Sequence, residues 1–195
     1  MLRRLAIIAV CLLCCVPAWA HGGLKGASAI LDGAFHILTS PLSVAAILGT
    51  AAILAGTHLR FSLPITLIAA FFAATAFLAA GYLPTYTPPL IIGILGLLGL
   101  SGWQPPAIVA FIIAAVAGFS GGLAAELDKP TALTIIGVLM IEVIALEGIF
   151  TAYQDIAEIR LIAPVLRVAK RVLGSWVAAI GLLMTALAVH QGKLS

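Results

Sequence analysis

Residues 131–152 of the chain read TALTIIGVLMIEVIALEGIFTA. This stretch is apolar and long enough to cross a lipid bilayer as an α-helix, which takes about 20 such residues. It nevertheless contains two carboxylates, Glu142 and Glu147. A charged side chain at the centre of a membrane costs roughly 2.5–3.5 kcal/mol, so an acid at that depth is usually functional or paired. The stretch therefore predicts a transmembrane helix with a special role for its acids.

The spacing of the two acids limits how they act together. Successive residues of an α-helix are turned by about 100°, which places Glu142 and Glu147 about 140° apart around the axis. They share one narrow groove only if a bulge rotates one of them. Two interpretations stay open: a proton or cation site inside a helix bundle, or protonated side chains that only pack against neighbouring helices.

The composition of the whole chain indicates a membrane protein. Of its 195 residues, 63% are hydrophobic and 9% are charged, and the mean hydropathy is +1.24. Soluble domains carry about 25% charged residues, which excludes that class. The apolar runs are continuous and show no alternation with period two, which excludes a β-barrel. The net charge of +3 provides no basic surface for nucleic acid. We expect an all-α, polytopic membrane helix bundle whose main partner is the lipid bilayer.

Residues 1–20 have the organisation of a secretory signal peptide. Two arginines precede an apolar core, and an A-x-A cleavage site ends at Ala20. An uncleaved first span is the alternative. All three cysteines lie in this segment, so a cleaved chain has neither disulfides nor thiolate metal ligands. Cleavage makes His21 the first residue, and its α-amine and imidazole together offer two nitrogen ligands to a transition metal.

Residues 21–195 are predicted to form a single integral-membrane domain with six spans. Pro41 lies inside the first span, where a proline is either tolerated or kinks the helix. The third span is marginal in length and is re-entrant in an alternative interpretation; its glycines should let another helix approach closely, and a homo-oligomer is expected to pack there. Residues 153–172 read as an interfacial amphipathic helix. The expected spans are residues 35–56, 63–83, 86–103, 105–125, 131–152 and 173–189.

Four short segments occur in an informative order: GAFHI at residues 33–37, GFSGGLAAE at 118–126, GVLMIE at 137–142 and RVLGSW at 171–176. Together with a signal sequence that ends before a histidine, they resemble the HupE/UreJ family of membrane proteins, which are accessory to nickel hydrogenases and ureases. The resemblance covers nearly the whole mature chain. It departs from the family at Ser40, Leu42 and Ser43, where the family has glycine, aspartate and histidine. Histidines expected in two later spans are also replaced, by alanines.

The resemblance implies a protein of the bacterial inner membrane that binds or moves Ni²⁺ or another divalent transition metal. The candidate metal ligands are His21, His36, Glu142 and Glu147. His36 would capture the cation near the outer face, and Glu142 would pass it inward or exchange it for a proton. Basic residues are more frequent in the connections that lie inside if the mature N-terminus is periplasmic, which favours that orientation.

Two other functions are weighed against this one. The first is a non-transporting membrane scaffold, a relative that has lost its metal ligands and kept its fold. The second is a rhomboid-like intramembrane serine protease, because Gly118-Phe119-Ser120-Gly121 matches a Gly-x-Ser-Gly pattern and His190 follows in the last helix. The rest of the rhomboid pattern is absent, so we expect no enzymatic activity.

Overall fold

The secondary structure of the protein is α-helical in a computed structural model that describes residues 29–55, 62–76, 78, 82–125, 127, 130–159 and 163–192. The signal peptide predicted for residues 1–20 and His21 lie outside the described residues. The helices are α1 (Ala29–Thr39), α2 (Pro41–Leu54), α3 (Ser62–Ala76), α4 (Thr87–Ser101), α5 (Ala107–Ala124), α6 (Ala132–Ala157) and α7 (Ala163–Gly192).

Three of these helices, α5, α6 and α7, are long and apolar enough to cross a membrane on their own. The bent pair α1 and α2 makes a fourth candidate span. The two remaining helices, α3 and α4, have 15 residues each, or about 22 Å of helix against a hydrocarbon core of about 30 Å. The prediction of a helical membrane bundle is confirmed at this level. By helix length the described residues supply three to four candidate spans, fewer than the six expected.

The first expected span, residues 35–56, is broken at Ser40. The axes of α1 and α2 differ by 74° there. Ser40 has an extended backbone and its side chain accepts a hydrogen bond from the Ser43 N–H, so it caps the second helix. Pro41 then occupies the first turn of α2, where its missing N–H has no helical partner to lose. Of the two expectations for Pro41, the kink is the one observed.

The amphipathic helix predicted over residues 153–172 is not a separate element. Its first part continues α6 as far as Ala157, and its second part belongs to α7, which runs from Ala163 to Gly192 without interruption. The second expected span is also shorter than predicted, since α3 ends at Ala76. Apolar and small residues follow Ala76, whereas α6 ends inside a stretch of mixed apolar and charged residues. Hydropathy alone locates neither end.

Glycines bring pairs of helices into backbone contact. A Cβ added at Gly96 of α4 would collide with the backbone of Ala178 in α7, and one at Gly118 of α5 would collide with that of Ala69 in α3. Gly137 of α6 meets the backbone of Ile30 in α1 in the same way. Small residues at such contacts are the usual means by which membrane helices associate. The glycine face of α4, where a homo-oligomer was expected to pack, is therefore occupied by α7 of the same chain.

The contacts between helices also fix their directions. Helices α2 and α4 are parallel, and α3, α5 and α7 run the opposite way. The five residues 158–162 that connect α6 to α7 can span at most about 20 Å, whereas α6 is about 39 Å long. The last residue of α6 must therefore lie at the end of the bundle where α7 begins. The contacts that fix these directions are Gly49–Leu95 and Gly99–Ala52 for α2/α4, Ser40–Ala124 and Ser43–Gly121 for α2/α5, Gly118–Ala69 and Gly122–Ala73 for α3/α5, and Gly96–Ala178 and Gly181–Gly93 for α4/α7.

Candidate cation site

Glu142 lies near the middle of α6 and is buried, with 3% of its surface exposed. The residues one turn before and after it on the same face, Val138 and Leu146, are apolar and fully buried. Among the described residues, no basic side chain lies within ion-pair distance of Glu142. Since a buried carboxylate is costly unless it is paired, the side chain at this position must hold a proton or meet a cation.

Glu147 faces a different neighbour. Helix α6 is a continuous α-helix without a bulge, so the two acids keep the separation of about 140° around the axis expected from their spacing. Glu147 is half-buried, and its Oε1 lies 2.9 Å from Oγ1 of Thr66 in α3. The two carboxyl groups therefore do not share one groove.

His36 stands near the end of α1 with its side chain one-third exposed. Its Nδ1 lies 3.0 Å from the backbone oxygen of Asp32 and 3.6 Å from the Asp32 carboxylate, one helical turn earlier. Because a carbonyl oxygen only accepts, this contact assigns the proton to Nδ1 and leaves Nε2 as the free ligand nitrogen. His36 and Asp32 thus present a nitrogen and a carboxylate at one end of the bundle.

The crossing of α1 over α6 lies nearer the start of α6 than Glu142 does. Gly33 packs on the backbone of Thr134, and Gly137 packs on the backbone of Ile30 and Ala34. Glu142 lies about 7–12 Å beyond these contacts along the α6 axis, and His36 lies one turn beyond Gly33 on α1.

The described residues include no group of three or more His, Cys, Asp or Glu side chains that could hold a metal ion. His36 lies on α1, and Glu142 and Glu147 lie on different sides of α6, so these three side chains do not form one cage. A site that includes His21 stays a prediction, because that residue lies outside the described part of the chain.

Three polar residues at or near these positions were not singled out from the sequence as site residues. Asp32, four residues before His36, could have been found from that spacing alone. Thr66 could not, since its contact with Glu147 depends on how two distant helices pack. Ser43, noted only as a departure from the HupE/UreJ pattern, donates its hydroxyl hydrogen to the backbone oxygen of Gly121 at 2.7 Å. This hydrogen bond joins α2 to α5.

Ser120 and His190, the residues of the protease alternative, are not brought together. The Ser120 hydroxyl is fully buried and donates to the backbone oxygen of Val116 at 2.8 Å. His190 is exposed near the end of α7, and α5 and α7 do not form one of the main packed pairs. The geometry of a Ser–His dyad is therefore absent from the described residues.

Positive charge gathers at the end of the bundle opposite His36. Lys170 of α7 donates to the backbone oxygen of Ala55, just beyond α2, at 2.6 Å, and its Nζ lies 5.4 Å from the centre of the Tyr153 ring. Arg171 packs over Gly102, which ends α4 in the left-handed conformation with φ 69°. Cations at helix C-termini complement the helix dipole, so one end of the bundle is both capped and basic.

Comparisons of the chain with protein-family models, with curated proteins and with solved structures find no match. The function is therefore inferred from the chemistry of the chain's own side chains.

Proposed function

We propose that the protein is a HupE/UreJ-like membrane permease or accessory protein for a divalent transition metal of the nickel type, and that the cation meets Glu142 inside the membrane. The observation that carries this proposal is the burial of Glu142 among apolar residues in the middle of a helix long enough to span. A carboxyl group in that setting can alternate between binding a proton and binding a cation. That alternation is the elementary step of cation exchange across a membrane.

His36 and Asp32 supply the site at which the cation first binds. The Nε2 nitrogen of His36 suits a divalent transition metal, and the side chains of His36 and Asp32 are one-third exposed. The Asp32 carboxylate lies on the Nδ1 side of the ring, where it orients the imidazole. One imidazole with water completing the shell binds such an ion only loosely, which suits capture followed by release towards Glu142.

The same proposal includes six crossings of the bacterial inner membrane, a signal peptide cleaved after Ala20 and a periplasmic N-terminus at His21. The alternating directions of α2 to α7 support six crossings, although α3 and α4 are short. The basic end formed by Lys170 and Arg171 is cytoplasmic under the positive-inside rule. His36 then lies at the periplasmic end, where an incoming metal ion is captured.

The substitution Glu142→Gln tests the central residue. We expect it to reduce uptake of Ni²⁺ or Co²⁺ into proteoliposomes to the background of empty vesicles, because the amide cannot exchange a proton for a cation. Glu158→Gln is the matched control: it makes the same chemical change at the exposed end of α6 and should leave uptake unchanged. Metal uptake by the Glu142→Gln protein equal to that of the unsubstituted protein would contradict the proposal.

A non-transporting scaffold is the competing function, and the lack of a three-ligand group among the described residues favours it. Calorimetric titration of the purified protein with Ni²⁺, Co²⁺ and Cu²⁺ separates the two functions. Binding heat together with uptake supports the permease. If the unsubstituted protein shows neither binding heat nor uptake, the scaffold function is supported instead.

A further inference from the structure

Two arginines of α7, Arg167 and Arg171, lie one helical turn apart at the basic end of the bundle, and both are exposed. Among the described residues, no carboxylate lies within ion-pair distance of either guanidinium. The acids nearest in the sequence, Asp155 and Glu158, belong to the end of α6. Like charges four residues apart repel each other along a helix. The pair therefore carries positive charge that no side chain balances in the part of the chain that the structure describes.

The packing of α7 on α4 fixes where these arginines lie along the bundle. The Arg171 guanidinium rests on Gly102, the residue that ends α4, and there it meets the negative end of the α4 dipole. Arg167 is about 6 Å further along α7 and therefore extends past the end of α4. Lys170, between them, already donates to the backbone oxygen of Ala55. The two arginines, unlike this lysine, remain available to an external anion.

Exposed tryptophans on both sides of the pair place the arginines at the level of the lipid headgroups. Trp103 directly follows Gly102, and Trp176 lies about 7.5 Å from Arg171 towards the middle of α7. The exposed fractions of the two tryptophans are 43% and 68%. Tryptophan side chains are enriched where the hydrocarbon core meets the headgroups. Arg171 and Arg167 therefore extend into the layer of lipid phosphates.

The same turns of α7 present an apolar face beside the arginines. Val165, Val168 and Val172 are spaced by three and four residues, so they share one side of the helix, and all three are exposed. A soluble anion would use only the charges of this segment. A phospholipid uses both faces, because its phosphate can bind the guanidinium groups while its acyl chains lie against the valines.

We propose that Arg167 and Arg171 form a binding site for an anionic phospholipid. A guanidinium can donate two parallel hydrogen bonds to phosphate oxygens, and a phosphate held between the two arginines removes the repulsion of their like charges. Clusters of basic residues at the end of a membrane-spanning helix attract anionic lipid headgroups. This site does not depend on the proposed metal function.

Quenching of tryptophan fluorescence by brominated lipids tests the site in the whole protein. The protein is reconstituted into phosphatidylcholine vesicles that contain increasing amounts of either brominated phosphatidylglycerol or brominated phosphatidylcholine. We expect the brominated phosphatidylglycerol to quench more strongly, because a lipid held by the arginines lies close to Trp103 and Trp176. The two quenching curves together give the binding constant of the anionic lipid relative to that of the zwitterionic lipid.

Arg167→Gln and Arg171→Gln should each lower this relative binding constant about fivefold, the factor expected for one basic residue near an anionic membrane surface. Lys170→Gln is the matched control, because it removes the same charge from the same turn of α7. The amine that it removes is already bonded to Ala55, so the relative binding constant should change much less. Both arginines are exposed, so their substitution should leave the fold intact, which thermal unfolding checks.

Equal quenching by the two brominated lipids in the unsubstituted protein would overturn the proposal without any variant. Equal losses in Lys170→Gln and in the arginine variants would also overturn it, because the preference would then reflect only the net charge of this end. A preference that inorganic phosphate removes, and that chloride at the same ionic strength does not, would assign the arginines to a soluble anion and overturn the lipid site. None of these measurements involves a metal ion, so their failure is distinguishable from a failure of the Glu142→Gln uptake experiment.

Discussion

Ser40 and Ser43 join the start of α2 to the end of α5. Ser40 donates to the backbone oxygen of Ala124 at 2.8 Å and Ser43 to that of Gly121 at 2.7 Å. Both acceptors belong to the last turn of α5, where carbonyl groups lack partners in their own helix. The two hydroxyl groups therefore close this end of α5.

Ser43→Ala should therefore destabilise the protein without affecting cation binding. We expect the free energy of unfolding in detergent to fall by about 0.6–1.7 kcal/mol, from the mean to the largest value measured for one hydrogen bond between membrane helices. Ser175→Ala is the control, because the Ser175 hydroxyl bonds only to the oxygen of Val172 in its own helix. Equal losses of stability in the two variants would mean that the Ser43 bond between α2 and α5 contributes nothing specific.

Only part of the arrangement of the candidate site residues could be predicted from the sequence. The burial of Glu142 follows from its place in a long apolar stretch, and the angle between Glu142 and Glu147 follows from helix geometry. The partner of Glu147 does not, because Thr66 is distant in the sequence and meets it only through the packing of α3 on α6. The position of His36 relative to Glu142 also depends on where α1 crosses α6.

At the level of helices, the pair α4 and α7 depends on glycine. Gly96 of α4 faces the backbone of Ala178 and of Gly174, so the two helices touch along their main chains. A side chain at Gly96 would force the backbones of α4 and α7 apart. This contact contributes stability only as long as neither helix carries a Cβ at the crossing.

Gly96→Ala should weaken the packing of α4 on α7. Overpacking of a tight contact typically costs about 1–3 kcal/mol, and we expect a fall of that size in the free energy of unfolding. Gly148→Ala is the control, since a Cβ at Gly148 would meet no atom within 4 Å, and a Gly-to-Ala change inside a helix is otherwise mildly favourable. Thermal unfolding in detergent measures both; a Gly96→Ala protein as stable as the control would contradict the observed crossing.

Sequence reasoning located most helices but not their ends. Pro88 and Pro89 mark the start of α4, where they fall in its first turn, and Pro41 marks the break before α2. The ends of α3 and α6 lie inside apolar or amphipathic stretches, so hydropathy gives no signal for them. Contacts such as that of Lys170 with Ala55 involve residues far apart in the sequence, which a local pattern does not contain.

On the scale of the whole molecule, alternating helix directions place the break at Ser40 and the end of α4 at opposite ends of the bundle. The first end holds His36 and the second holds the basic residues. Under the proposed orientation, the first faces the periplasm and the second the cytoplasm. Each end can therefore be identified by its accessibility to a reagent that does not cross the membrane.

Single cysteines test this arrangement in a background in which the three native cysteines are replaced by serine. Thr39→Cys, at the exposed end of α1, should react with an impermeant maleimide in intact spheroplasts. Ser101→Cys, at the exposed end of α4, should react only after the membrane is permeabilised. Labelling of both positions from the same side would contradict the alternation of helices and the six crossings proposed from it.

The dependence of α4 on α7 has a consequence for biogenesis. Helices α5 and α6 leave the ribosome before α7 does, so α4 first enters the bilayer with its glycine face against lipid tails, which fit poorly to a groove without side chains. Completion of the bundle must then wait for α7 to insert and slide into that groove. A nascent chain stalled before α7 would leave the glycine face of α4 exposed to lipid, where membrane quality-control proteases could recognise it.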